Sequence, residues 1–179
     1  MTKRKKIMLI VATRPNFMKA APLLVELKKD GTFDTVLVHT GQHYDRNMSD
    51  VFFEELDIPT PDYYLKAIED LNKIVGIEAP DAVIVFGDVN STADSAMIVS
   101  RLGIPIVHVE AGLRSFDRKM PEENNRIVAD HLADLLFVTE LAGQCRLIVE
   151  GIKTEKTFLV GNLMIDTLLK YKAKAAKRK

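Results

Sequence analysis

Residues 82–92 read AVIVFGDVNST: an apolar run from Ala82 to Phe86, then a glycine, an acid and the polar start of a helix. In open parallel α/β sheets, ligands bind beyond the carboxyl ends of the strands. Asp88, one residue past the glycine, is therefore expected to face a ligand instead of the core. Two other stretches have the same grammar. IMLIVATRPNFMK over 7–19 and IPIVHVEAGLR over 104–114 each run from an apolar strand into charged or polar residues. Three strands aim chemistry at one edge.

Outward from that stretch, strands and helices alternate with short gaps. Strands are expected at Ile7–Ala12, Thr35–Thr40, Tyr63–Leu65, Ala82–Phe86, Ile106–Val109, Leu135–Val138 and Thr157–Val160. Helical patterns fill Asn16–Lys29, Arg46–Leu56, Ala67–Ile77, Ser91–Leu102, Pro121–Leu132, Leu141–Glu150 and Leu163–Lys174. Ser91 or Asn90 is placed to cap the helix after Asp88, and Gly103 before Ile104-Pro105 ends it. Pro121 suits a first helical position, with Glu122 and Glu123 favourable to the helix dipole. The strands are continuous Val/Ile/Leu runs, as in sheets covered on both faces. The fold class is α/β: a single Rossmann-like, doubly wound parallel sheet of six to seven strands, with no repeats and no second-domain boundary over 1–179.

Composition bounds the function. The chain has 179 residues, 47% of them hydrophobic, enough for a substantial core. Lys+Arg and Asp+Glu stand at 25 each, so no global field favours nucleic acid or a membrane surface. The basic ends, TKRKK and KYKAKAAKRK, lack interleaved aromatic stacking platforms and read as solubilising segments. Cys145 is the single cysteine, which excludes an intrachain disulfide and a cysteine metal cluster. No apolar run approaches the ~18 residues of a membrane span. A soluble cytoplasmic protein is expected, with no nucleic-acid or membrane partner.

The polar residues at the strand ends carry the chemistry. Arg14 and Lys19 flank the strand-to-helix turn around Pro15, a place suited to an anion, though both also fit a solvated surface. The glycines of a dinucleotide or Walker loop are absent. Asp88 and Glu110 end neighbouring strands and can divide acid and base roles; alternatively one of them caps a helix or pairs with Arg114. In PEENNR, Glu122 and Arg126 are four apart and share a helix face, a spacing equally served by a surface salt bridge. Gln42 and His43 follow the second strand and face the same edge. His108, inside a strand, reads as a satisfied core histidine, and the four histidines do not show metal-ligand spacing.

These segments together resemble one family. TRPNFMKAAPL, HTGQHYD, GDVNSTADSA, HVEAGLRSFDRKMPEENNR and VGNLMID are similar, in order, to the motifs of the non-hydrolysing UDP-N-acetylglucosamine 2-epimerases. The resemblance implies one lobe of a glycosyltransferase-B arrangement, whose active site lies in a cleft between two lobes. It implies elimination of UDP from the sugar to a glycal, then re-addition after inversion at C2, interconverting UDP-GlcNAc and UDP-ManNAc. On this resemblance Asp88, Glu110, Glu122, Arg126 and Lys19 are catalytic, and Arg14, His43, Gln42 and Arg114 bind substrate. No cofactor or metal is implied. The partners implied are a UDP-sugar and a C-terminal UDP-binding lobe; a homodimer is open.

The chain also departs from the family. It carries only the N-terminal lobe, so most affinity and nearly all turnover are expected to be missing when it stands alone. Leu65 runs almost directly into KAIEDLNKIVG where the family has a longer loop, Ala12 stands for the glycine before TRP, and LLKYKAKAAKRK is rich in helix formers and lysine. These departures point to a truncated or engineered lobe; the competing expectation is a stand-alone α/β scaffold without catalytic function.

Overall fold

The computed structural model describes residues 4–41 and 56–176. The element order is β1 (Lys5–Val11), α1 (Arg14–Asp30), β2 (Phe33–His39), β3 (Tyr63–Tyr64), a 3-10 turn (Ile68–Asp70), α2 (Leu71–Glu78), β4 (Ala82–Phe86) and α3 (Asn90–Arg101). It continues through β5 (Ile106–Ala111), α4 (Pro121–Leu132), β6 (Leu135–Val138), α5 (Leu141–Val149), β7 (Thr157–Leu159) and α6 (Leu163–Ala176). The helix expected over 46–56 lies almost wholly outside the described residues, as do Gln42 and His43.

All seven strands are parallel, in the order β3-β2-β1-β4-β5-β6-β7. Strand order reverses between β1 and β4, which makes the carboxyl ends of those two strands the crevice of the sheet. Side chains alternate between two cores because a strand repeats every two residues. Met8, Ile10, Val83 and Val85 pack with Ala96, Val99, Ala129 and Leu147 on one face. Leu9, Val11, Ile84 and Phe86 pack with Phe17, Ala20 and Leu24 of α1 on the other. Both faces are packed against helices, so the central, buried positions of the strands are mostly apolar. No described helix is long and apolar enough to cross a membrane.

Local details show why the elements sit where they do. α1 contains Pro22, whose missing N–H leaves the Met18 carbonyl without its i+4 partner. The buried Thr167 hydroxyl of α6 donates to that carbonyl at 2.6 Å, joining the two helices. The side chains of Asn90 and Ser91 do not cap α3: Val89 is the N-cap residue, Asn90 accepts from Asn125, and Ser91 bonds Thr40. Gly103, at φ +69, does follow the end of α3 in the left-handed conformation. Pro121 opens α4 with Glu122 and Glu123 in its first turn. β5 runs two residues beyond Val109 because a bulge there carries Glu110 at φ +72. The pattern over 67–77 splits, its first residues forming the 3-10 turn and only Leu71 onward the α-helix.

Candidate active site

The site begins with Asn16, which sequence reading passed over. Its Oδ1 accepts from the Ala12 and Thr13 amides at 3.1 and 3.3 Å, and its Nδ2 donates to the Phe86 carbonyl at 3.0 Å. One buried side chain thus fixes the start of α1 against the end of β4. Lys19, one turn later and 4% exposed, is delivered under the carboxyl ends of the sheet. There its Nζ pairs with Glu110 Oε2. The bulge in β5 explains why Glu110 is available: it turns the side chain out of strand alternation, a common use of bulges beside active sites. Glu110 pays for that aim with a left-handed backbone, a strain that clusters at functional positions.

Gly87, at φ +63, lies against this pair. A Cβ there would come within 3.2 Å of Lys19 Nζ and 3.3 Å of Glu110 Oε2. The glycine allows both the turn and the close approach. Its neighbour Asp88 is held from α4: Asn125 Nδ2 donates to the Asp88 carbonyl at 2.9 Å, and Arg126 pairs with the Asp88 carboxylate.

Arg126 is itself positioned by Glu123, at 2.9 Å. Glu123 is 1% exposed and accepts from the Ser115 amide and hydroxyl and the Phe116 amide, at 2.8 to 3.0 Å. Burial would raise its carboxyl, but those donors and Arg126 outweigh it and hold the group below the ordinary glutamate value. Glu122 projects on the exposed side of the same turn. The i,i+4 pairing of Glu122 with Arg126 is therefore replaced by i,i+3 pairing with Glu123, leaving Glu122 facing solvent.

Behind these groups lies a buried network. His108 Nε2 donates to the Gly87 carbonyl at 2.8 Å, and its Nδ1 meets Asp130 at 2.7 Å. Asp130 also accepts from Gly112 N at 3.2 Å and Arg114 at 2.7 Å. Burial pushes the Asp130 carboxyl up; His108 and Arg114 reverse the sign and hold it below the ordinary aspartate value. Arg114, almost fully buried, also forks onto Glu150 at 3.0 and 2.6 Å. The pairing of Arg114 with Asp88 or Glu110 does not form, and its guanidinium serves the framework beneath the site. His108 is the satisfied core histidine the sequence suggested, with its partner Asp130 unforeseen. Arg14 stands exposed at the first position of α1. No group of three or more His, Cys, Asp or Glu able to hold a metal occurs among the described residues.

Comparison with known proteins gives the family of the chain. The family model for UDP-N-acetylglucosamine 2-epimerase matches residues 25–179. The chain belongs to the UDP-N-acetylglucosamine 2-epimerase family. It is 45% identical over 176 residues to a UDP-N-acetylglucosamine 2-epimerase homolog of Methanococcus maripaludis, covering 92% of this chain and 48% of that protein. A solved structure of the Methanocaldococcus jannaschii UDP-GlcNAc 2-epimerase, in complex with UDP-GlcNAc and UDP, superposes with a TM-score of 0.93 at 39% identity. That match covers 97% of this chain and 51% of the other. A Pseudomonas aeruginosa UDP-2,3-diacetamido-2,3-dideoxy-D-glucuronate 2-epimerase is 40% identical over 184 residues, covering 95% of this chain and 52% of its own. The chain thus spans about half the length of the curated relatives it matches, and the lobe it forms is the N-terminal one of the epimerase family.

Of the residues named from sequence, Lys19 with Glu110 and Arg126 with Asp88 come together in pairs. Asn16, Glu123, Asn125 and Asp130 were missed. Only Glu123 had an available signal: in PEENNR it is three residues before Arg126, a helix neighbour as good as Glu122.

Proposed function

We propose that this chain is the acid/base lobe of a UDP-N-acetylhexosamine 2-epimerase, interconverting UDP-GlcNAc and UDP-ManNAc together with a UDP-binding lobe. The observation that carries this reading is the placement of two carboxylate–cation pairs, Glu110–Lys19 and Asp88–Arg126, at the ends of the adjacent strands β5 and β4. The reaction needs what these groups offer. A base takes the C2 proton as the C1–O bond to UDP breaks, giving the C1=C2 glycal; a proton returned to the opposite face of C2 accompanies re-addition of UDP at C1. Opposite-face delivery calls for more than one proton-handling group. Asp88 and Glu110 supply two, and the exposed Glu122 is a third at the α4 entrance. Lys19 and Arg126 place positive charge beside the developing diphosphate anion. Arg14, Gln42 and His43 belong to the substrate side in this reading. The setting is the cytoplasm, where nucleotide sugars are made.

A lone lobe presents half of a cleft, so substrate is not held in register for reaction. The test is proton exchange at C2 of UDP-GlcNAc in deuterated water, followed by NMR. The chain is assayed alone and fused in place of the matching half of the M. jannaschii enzyme. Exchange is expected in the fusion, absent in its Asp88→Asn and Glu110→Gln variants, and undetectable for the chain alone. A folded fusion that binds UDP-GlcNAc but does not exchange the C2 proton would overturn the reading.

A further inference from the structure

Asp88 and Glu110 both stand on irregular backbone. Asp88 follows Gly87, at φ +63, and Glu110 sits on the β5 bulge at φ +72. One backbone bond joins the two turns directly, from Gly87 N to the Val109 carbonyl at 3.0 Å. The rest of the tie runs through Asp130 of α4, which is 1% exposed and meets both turns from beneath. Its Oδ1 faces His108 Nδ1 at 2.7 Å, and His108 Nε2 donates to the Gly87 carbonyl at 2.8 Å. Its Oδ2 accepts from Gly112 N, two residues beyond Glu110, at 3.2 Å and from Arg114 at 2.7 Å. A carbonyl and an ionised carboxylate can only accept, so both nitrogens of His108 donate. The ring is a rigid spacer between Asp130 and the turn that carries Asp88. Arg114 supplies the charge that keeps a buried carboxylate ionised there, and Glu150 at the end of α5 holds Arg114 in turn.

We propose that Asp130 is a positioning residue for the epimerisation: through His108 it holds the turn of Asp88, through Gly112 it holds the bulge of Glu110, and it thereby sets the spacing of the two proton-handling groups. The inference rests on the epimerase reading and deepens it. Asp130 and His108 are too deeply buried to touch a sugar nucleotide, so they act only through where the two carboxylates point. Taking a proton from one face of C2 and returning one to the other needs both carboxylates in register. A displacement of about 1 Å at a reacting group can cost about 10²-fold in rate. Arg114, which the family resemblance casts as a substrate ligand, belongs to the same support.

The test uses the fusion with the UDP-binding half of the M. jannaschii enzyme, measuring kcat and KM for UDP-GlcNAc epimerisation and the urea midpoint of each variant. Asp130→Ala removes every bond of the tie. It is expected to lower kcat by about 100-fold while KM stays within about twofold, the pattern of misplaced reacting groups and not of lost substrate contacts. Asp130→Asn can keep the connections, its carbonyl accepting from Gly112 and Arg114 and its NH2 donating to a His108 Nδ1 that has given up its hydrogen. It is expected to recover kcat to within about tenfold of the unsubstituted fusion. His108→Phe leaves Asp130 paired with Arg114 and Gly112 and frees only the Gly87 carbonyl. Its kcat is expected to fall by about tenfold, again with little change in KM.

A folded Asp130→Ala fusion whose kcat stays within about threefold would overturn the inference and leave the epimerase reading intact. A raised KM with kcat unchanged would move the network to substrate holding and overturn it as well. Equal losses in Asp130→Asn and Asp130→Ala would make charge, not placement, the cause, with the same consequence. If Asp130→Ala does not fold, His108→Phe decides by the same criteria; failure of both to fold would reduce Asp130 to a stability role and overturn the inference. An unsubstituted fusion that binds UDP-GlcNAc without exchanging its C2 proton would overturn the epimerase reading itself, and this inference with it.

Discussion

Glu122 and Glu123 are adjacent, chemically identical and opposite in consequence. Glu123 faces inward and ties the Ser115–Phe116 turn to Arg126; Glu122 faces outward with no such partners. Replacing Glu123 by Gln puts an NH2 where donors converge and removes the charge that holds Arg126. We expect Glu123→Gln to cost about 1–3 kcal/mol, the range for leaving buried hydrogen-bonding groups unsatisfied. Glu122→Gln should stay within about 0.5 kcal/mol, as an exposed substitution away from such features does. Urea unfolding midpoints of the two variants decide it; equal losses would mean Glu123 is not the anchor of the turn. This pair also marks how much of the site was legible. Strand-end placement singled out Asp88 and Glu110 as candidates, the family resemblance added Lys19 and Arg126, and the structure brings the four together in two pairs. Which member of an acidic doublet turns inward depends on the loop packed against the helix, and a helical period of 3.6 leaves i+3 and i+4 both open.

Elements were legible where burial alone decides them. β4, α4 and β6 fall on the residues expected, because an apolar run covered on both faces has one reading and a Pro with two acids marks a helix start. Elements shaped by a tertiary contact were less so. The β5 bulge puts a non-glycine residue, Glu110, at positive φ, and nothing local in HVEAG announces it. Pro22 is a clearer case, since a mid-helix proline ordinarily argues for a break. α1 continues through it, and Thr167, far along the chain, satisfies the carbonyl that Pro22 leaves open. That coupling is measurable. Thr167→Val keeps the shape and removes the donor, and is expected to cost about 1–2 kcal/mol. Pro22→Ala restores an N–H to Met18, so Thr167→Val should cost clearly less in that background. A double-mutant cycle on thermal or urea stability gives the interaction energy directly; strict additivity would show that the two residues act independently.

At the scale of the whole molecule, three buried titratable groups, Asp130, Glu123 and His39, respond to acid in the same direction. Asp130 and Glu123 both have carboxyls held below their ordinary values in the fold. A depressed carboxylate contributes stability that is present above its unfolded value, near pH ~4, and is lost as pH falls through the folded one. His39 adds to this from higher pH. Burial lowers its ring, and the Gly41 amide donates to its Nδ1 at 2.9 Å, which requires that nitrogen unprotonated. The unfolded ring takes a proton near pH ~6.5 while the folded one resists, so stability begins to fall below that point. Acid unfolding is therefore expected in two limbs, a shallow loss from about pH 6.5 and a steeper one below about pH 4.5. Urea midpoints measured across pH 3.5–8 would display both, and His39→Gln should remove the shallow limb while leaving the steep one. Salt tells these buried groups from general repulsion among the 25 Lys and Arg side chains as the acids titrate. Surface repulsion is screened over about 10 Å at 0.1 M, whereas pairs sealed beneath the site are screened far less. A steep limb that persists in added salt assigns the acid sensitivity to Asp130 and Glu123, the carboxylates that hold the framework under Asp88. A limb that vanishes with salt would assign it to the surface.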